Sequence, residues 1–226
     1  MILLHPARSF FIFEFGFYNF FCALNDFDQK AAGWDLNPVH LERSMAIAGL
    51  LIKAIPMDET MTALEFGAGT GILSLMLKDY LGKITLMDSS EGMINKMREK
   101  LKSFPATKLE PVCFDLETEY YTAKFDLIFT QMVLHHVRDI NDILHKFYLL
   151  LRTGGFLAVA DLYREDGSFH EEPFTGHKGF DPELLMHQLS SLSFRNINYQ
   201  TCFIIKKENI QGHPKEYPVF LITACK

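Results

Sequence analysis

No stretch of this 226-residue chain gathers lysine and arginine into a block, and the net charge is −6. The electrostatic footprint for a nucleic-acid backbone is therefore missing, and no nucleic-acid partner is expected. Cysteine is sparse: Cys22, Cys113, Cys202 and Cys225 are scattered, with no C-x-x-C pair. Without a secretion signal they read as reduced, mostly buried thiols, an expectation of a cytoplasmic protein. Long apolar runs are also wanting. The Phe-rich opening, with Phe10-Phe11-Ile12-Phe13 and Phe20-Phe21, is interrupted by Glu14 and Asn19. It falls short of the ~20 residues that a transmembrane helix needs. Only His5 and Arg8 mark its n-region, and no small-residue cleavage site follows. Residues 1–24 therefore read as an extension, either loosely packed and dispensable or a helix that covers an apolar patch. Repeats and linkers are absent, so residues 25–226 are expected to form one domain. With 48% hydrophobic and 22% charged residues, that length suits an α/β fold with a substantial core.

The stretch that organises the chain is Thr62-Ala63-Leu64-Glu65-Phe66-Gly67-Ala68-Gly69-Thr70-Gly71. A short apolar run predicts a buried strand, three glycines predict a tight turn, and Ile72-Leu73-Ser74-Leu75-Met76-Leu77 predicts a helix. Glycines let a ligand approach the backbone closely, and free N–H groups at a helix start favour an anionic group. A second strand, Lys83-Ile84-Thr85-Leu86-Met87, ends in Asp88 about twenty residues after Gly67, where an acid can hold a ribose diol.

A dinucleotide fingerprint reads G-x-G-x-x-G, whereas Gly67, Gly69 and Gly71 read G-x-G-x-G with Ile72 next. With Glu65 two residues ahead, the pattern resembles motif I of the class I S-adenosylmethionine-dependent methyltransferases. The resemblance runs from Phe27 to the C-terminus. It implies a Rossmann-like three-layer α/β sandwich whose seven-stranded, mostly parallel sheet has the order 3-2-1-4-5-7-6, with the last strand antiparallel. It also implies S-adenosyl-L-methionine as cofactor, held by Glu65, Gly67, Ala68, Gly69, Thr70 and Gly71, with Asp88 and Ser89 at the second strand.

Further positions follow from the same resemblance. Phe27-Asp28-Gln29-Lys30-Ala31-Ala32-Gly33-Trp34-Asp35 is similar to an opening segment that folds over the cofactor, which puts Trp34 in a loop lining the cavity; the alternative is an anchor in the core. Arg43, on a helix expected from Leu41 to Ile55, reads as a surface charge and more weakly as a carboxylate contact. Met93 is either an adenine contact or a core methionine. Asp115-Leu116 ends a third strand, Leu109 to Phe114; Asp115 would accept from the adenine amine or cap a turn.

Phe125-Asp126-Leu127-Ile128-Phe129-Thr130-Gln131 resembles motif IV, with Gln131 at the cofactor and Leu134-His135-His136 beyond. Ligands of open α/β sheets gather at such strand ends. His135 or His136 is the candidate catalytic base; adjacent residues are expected to face different ways, so one at most meets the acceptor. Arg152-Thr153-Gly154-Gly155 is expected to stop the next helix by a left-handed turn. His170, Glu171, Glu172 and His177 match no metal-ligand spacing, so no metal is expected. Two closing β runs are placed at Ile197–Ile205 and Pro218–Ala224, with Lys206-Lys207-Glu208 in the hairpin between them.

The expected activity is methyl transfer to a small-molecule acceptor. Acidic charge and the absence of an Asn/Asp-Pro-Pro-Tyr motif after the fourth strand point away from nucleic acid. A non-catalytic cofactor-binding or partner-binding module on the same fold is the alternative, and a nicotinamide-dependent oxidoreductase a third. The acceptor and the oligomeric state are not legible.

Overall fold

A computed structural model describes residues 26–104, 108–170, 174–208 and 212–226. The expectations for residues 1–24, for Cys22 and for Glu171 and Glu172 lie outside them.

Seven strands form one sheet of order β3-β2-β1-β4-β5-β7-β6: β1 Thr62–Phe66, β2 Lys83–Asp88, β3 Leu109–Cys113, β4 Phe125–Gln131, β5 Leu151–Leu162, β6 Arg195–Glu208 and β7 Pro214–Cys225. The first five are parallel, and β7 runs antiparallel between β5 and β6. This is the expected architecture. Its parallel strands read as apolar runs because both faces are covered.

Among the described residues there are six α-helices: α1 Asp26–Lys30, α2 Pro38–Ala54, α3 Ile72–Leu77, α4 Glu91–Leu101, α5 Ile140–Leu150 and α6 Pro182–Ser191. Ile47, Ala48 and Leu51 of α2 join Leu73 and Leu77 of α3 and Ile94 and Met97 of α4 against one face of the sheet. On the other face lie Ile140, Ile143, Leu144 and Phe147 of α5, at helical spacing, with Leu185 and Leu189 of α6. The order reverses between β1 and β4, and such a switch point opens a crevice at the strands' carboxyl ends.

Several local expectations are corrected. α2 begins at Pro38 because Asn37 accepts from the Val39 N–H and proline suits the first turn. Trp34 lies in a 3-10 turn, Ala31–Leu36, and not in a loop. No glycine ends α5: Leu151 is already extended, and β5 starts there. Gly154 (φ 80°) instead sits where β5 slips register against β4 between Phe125 and Leu127. Lys206, Lys207 and Glu208 are not hairpin residues, since they pair with Glu216, Lys215 and Pro214.

Candidate active site

The glycine turn leaves β1 at the switch point. Gly67, Gly69 and Gly71 all have positive φ, which other residues adopt only with strain. A Cβ at Gly67 would collide with Val133, and one at Gly69 would lie 3.6 Å from Trp34 Nε1. The turn is pinned by Ala68 N–H donating to Met87 O at 2.9 Å, and by Gly69 N–H donating to Asp88 at 2.7 Å. Asp88 also accepts from Ser90 N–H at 2.8 Å. Burial raises its carboxyl against the pull of these two N–H groups. Each Asp88 oxygen thus accepts one bond and keeps a lone pair. Below the turn, buried Glu65 accepts from Ser74 Oγ, while its Oε1 has no partner. Burial pushes Glu65 up to about 8.

The segment from Phe27 to Asp35 roofs this turn. Asp28 accepts from Ser90 Oγ at 2.6 Å and Gly92 N–H at 2.8 Å, clamping the segment to the start of α4. Asp35 accepts from Thr70 Oγ1 at 2.5 Å and pairs with Lys100 at 2.6 Å. Phe27 packs edge-on against Trp34 and His136, with ring centroids 6.0 and 5.1 Å apart.

Beyond Phe27 lies a histidine cluster. His135 and His136 occupy a 3-10 turn after β4, Leu134–His136, which curls both rings to one side. Their centroids are 4.2 Å apart, against the expectation that adjacent residues would diverge. His170, from the loop after β5, lies 5.0 and 5.3 Å from them. Asp161, fully buried at the end of β5, accepts from His135 Nδ1 at 2.6 Å. Burial, reinforced by the neighbouring imidazoles, holds His136 down at about 3 and His170 at about 4.

Arg43 overturns its surface reading. Only 6% exposed, it carries an Nε with no partner. Burial lowers it to about 10, with Asp161 the main opposing charge. An apolar helix face spaced Ser44, Ile47, Ala48, Leu51 turns its neighbour Arg43 inward too, a consequence that local pattern alone does not reveal. Asp161 and Asp28 were likewise not singled out as site residues, and His170 was weighed only as a metal ligand and set aside; Asp161 was signalled only by its place at a strand end.

The remaining candidates divide. Gln131 is at the mouth of the switch point, its amide exchanging bonds with Ser44 Oγ at 2.9 and 3.2 Å. Ser89 is exposed at the tip of β2. Met93 and Leu116 are fully buried core residues. Asp115 caps its own turn, accepting from Glu117 N–H and Thr118 Oγ1, each at 2.9 Å.

Comparison with known proteins places the chain by sequence and fold. Residues 64–157 match a family described as methyltransferase domain. An uncharacterized methyltransferase of Schizosaccharomyces pombe is 27% identical over 153 residues, covering 60% of this chain and 54% of that one. A malonyl-acyl-carrier-protein O-methyltransferase of Ilyobacter polytropus is 30% identical over 165 residues, or 67% and 60% of the two chains. The chain thus spans little more than half the length of these relatives. Among solved structures, a SAM-dependent methyltransferase of Aquifex aeolicus superposes with a TM-score of 0.64 at 18% identity, covering 88% of this chain and 97% of its own. Sheet order and glycine turn define a Rossmann-like nucleotide fold. Residues 64–157 within it match the methyltransferase-domain family, and the fold is that of the SAM-dependent methyltransferase of Aquifex aeolicus.

Proposed function

We propose that this chain transfers a methyl group from S-adenosyl-L-methionine to a small acceptor that carries an anionic group. The observation that carries the reading is the glycine turn facing Asp88 under the Trp34 roof. The residues present suit the cofactor. Three positive-φ glycines leave room for close approach, Asp88 offers acceptor lone pairs to ribose hydroxyls, and Glu65 Oε1 is a buried polar atom without a hydrogen-bond partner. Glu65, Gly67, Ala68, Gly69, Thr70, Gly71, Asp88 and Ser89 would hold it, with Trp34 and Gln131 at its margins. Met93 is packed in the core, whereas each Asp115 oxygen accepts one bond and keeps a lone pair with which it would accept from the adenine amine. When bound, the cofactor supplies an electrophilic methyl group on a sulfonium.

What the chain itself contributes is position and dryness. Holding the acceptor in line can lower the barrier by ~7–11 kcal/mol. Phe27 and Trp34 exclude water from above. Arg43, buried and without a hydrogen-bond partner, is the group to which an acceptor carboxylate or phosphate would bind. Should the acceptor need to lose a proton, the imidazoles of His135 and His136 are the polar groups at hand. Among the described residues the free thiols of Cys202 and Cys225 support a reducing compartment, which we take to be the cytoplasm. Among the described residues no helix is long and apolar enough to cross a membrane.

Calorimetric titration of the full chain with S-adenosylhomocysteine tests the cofactor half. Micromolar binding that collapses in Asp88→Ala is expected; no binding by folded protein would refute the reading. Incubation with S-adenosylmethionine and a panel of carboxylate-bearing thiols, phenols and amines tests the transfer half. Cofactor binding without S-adenosylhomocysteine production from any acceptor would favour a non-catalytic module. NADH displacing the bound nucleoside would favour the oxidoreductase.

A further inference from the structure

We propose that His135, His136 and His170 form a binding site for one divalent transition-metal ion of the Zn2+ type, with a coordination position open towards the acceptor. One ring nitrogen from each residue lies within 4.8 Å of those from the other two. Two separate segments deliver them, the turn after β4 and the loop after β5, so the site exists only in the folded chain.

The arrangement behind the rings supports the same conclusion. An ionised carboxylate only accepts, so Asp161 fixes the His135 proton on Nδ1 and leaves the lone pair on Nε2. Asp161 is itself locked: its Oδ1 also accepts from Leu162 N–H at 2.7 Å, and its Oδ2 from His135 N–H at 3.3 Å. A carboxylate backing an imidazole in this way is the usual support of a metal-ligating histidine. A third observation concerns His170. Its Nε2 is buried without a partner, a costly state for a polar atom that an ion would relieve. Phe174 stacks on its ring, centroids 3.7 Å apart, and limits the directions in which it can turn.

Three imidazoles with no thiolate suit Zn2+ or Co2+, and three protein ligands leave a fourth position for water or substrate. Bonds of about 2.0–2.1 Å would set tetrahedral ligands roughly 3.4 Å apart, so the nitrogens need draw together by no more than about 1.4 Å. His170, on a loop, is the residue that can make that movement. Metal binding stands independently of methyl transfer; the use of the open position rests on the proposed function. A thiol, hydroxyl or amine acceptor bound there would release its proton to solvent more readily, because the ion lowers its pKa.

The test uses the full chain, stripped with a chelator and titrated with Zn2+ by calorimetry. One equivalent is expected to bind. His170→Ala and His136→Ala should each abolish that equivalent, and Asp161→Asn should weaken it about 10- to 100-fold. His187→Ala, an exposed histidine on α6, should leave it intact. Absence of a stoichiometric site, or binding indifferent to His136 and His170, would overturn the proposal. X-ray absorption of the Zn2+-loaded native protein gives an answer that needs no variant: imidazole scattering is expected, and an oxygen-only shell would refute the site. S-adenosylhomocysteine binding by the stripped protein reports separately on the cofactor reading.

Discussion

Single residues carry charge states that depend on where folding puts them. Glu65 is the clearest. Its folded value of about 8 lies above its ordinary 4.5, so the native state keeps a proton that the unfolded chain loses. Its contribution to stability is therefore full below about pH 4.5 and falls as pH rises towards about 8. Urea midpoints of native protein should drop between pH 5.5 and 7.5, and Glu65→Gln should remove much of that slope. An equal slope in the variant would show that Glu65 is not its source. Arg43 makes the opposite case, a charge buried without a hydrogen-bond partner. Arg43→Met should leave the melting temperature unchanged or raised, because a buried guanidinium whose Nε lacks a hydrogen bond costs more than a thioether. The same change should raise KM for an anionic acceptor roughly 10- to 150-fold, from a charged hydrogen bond of about 1.5–3 kcal/mol. An unaltered KM would remove Arg43 from the acceptor site.

Elements meet at the roof. Helix α4 has its own cap, Ser90 Oγ accepting from Met93 N–H at 3.1 Å. Asp28 is a second cap, supplied from outside the helix, and ties the roof down. A Cβ at Gly92 would lie 2.7 Å from Asp28 Cα, so only glycine admits this contact without displacing backbone. Asp28→Ala should cost about 0.5–2 kcal/mol. Hydrogen exchange should quicken across residues 27–36 while α4, still capped by Ser90, keeps its protection. Equal loss of protection in both would mean that Asp28 serves the helix more than the roof. Short α3, six residues long, has little dipole to offer a ligand, so the turn's glycines carry the close approach.

At the scale of the whole molecule, a ligand seated at the switch point touches both the sheet and the roof. S-adenosylhomocysteine at a hundred times its Kd should add about 2.7 kcal/mol, a rise in melting temperature of roughly 5–11 °C. Asp88→Ala should show no such rise. The sheet order was expected from the resemblance carried by the glycine turn, while most of the parallel strands were legible in themselves as short apolar runs. The glycine turn was legible because positive φ leaves few alternatives to glycine. Gly154 misled because the same residue type serves a helix stop and a bulge, and only pairing against β4 separates the two. Lys206, Lys207 and Glu208 misled because edge-strand residues are as polar as hairpin residues.

Sequence alone therefore determined what local rules govern: the alternation of strand and helix, the turn at Gly67 to Gly71, and the acid at Asp88. Tertiary structure decided what depends on residues far apart in the chain. The convergence of His135 and His136 with His170, the burial of Arg43 and the clamp from Asp28 to Ser90 and Gly92 all arise between separate segments. Their physical cause is the packing of loops and helices onto the sheet's carboxyl edge, where distance along the chain no longer measures distance in space.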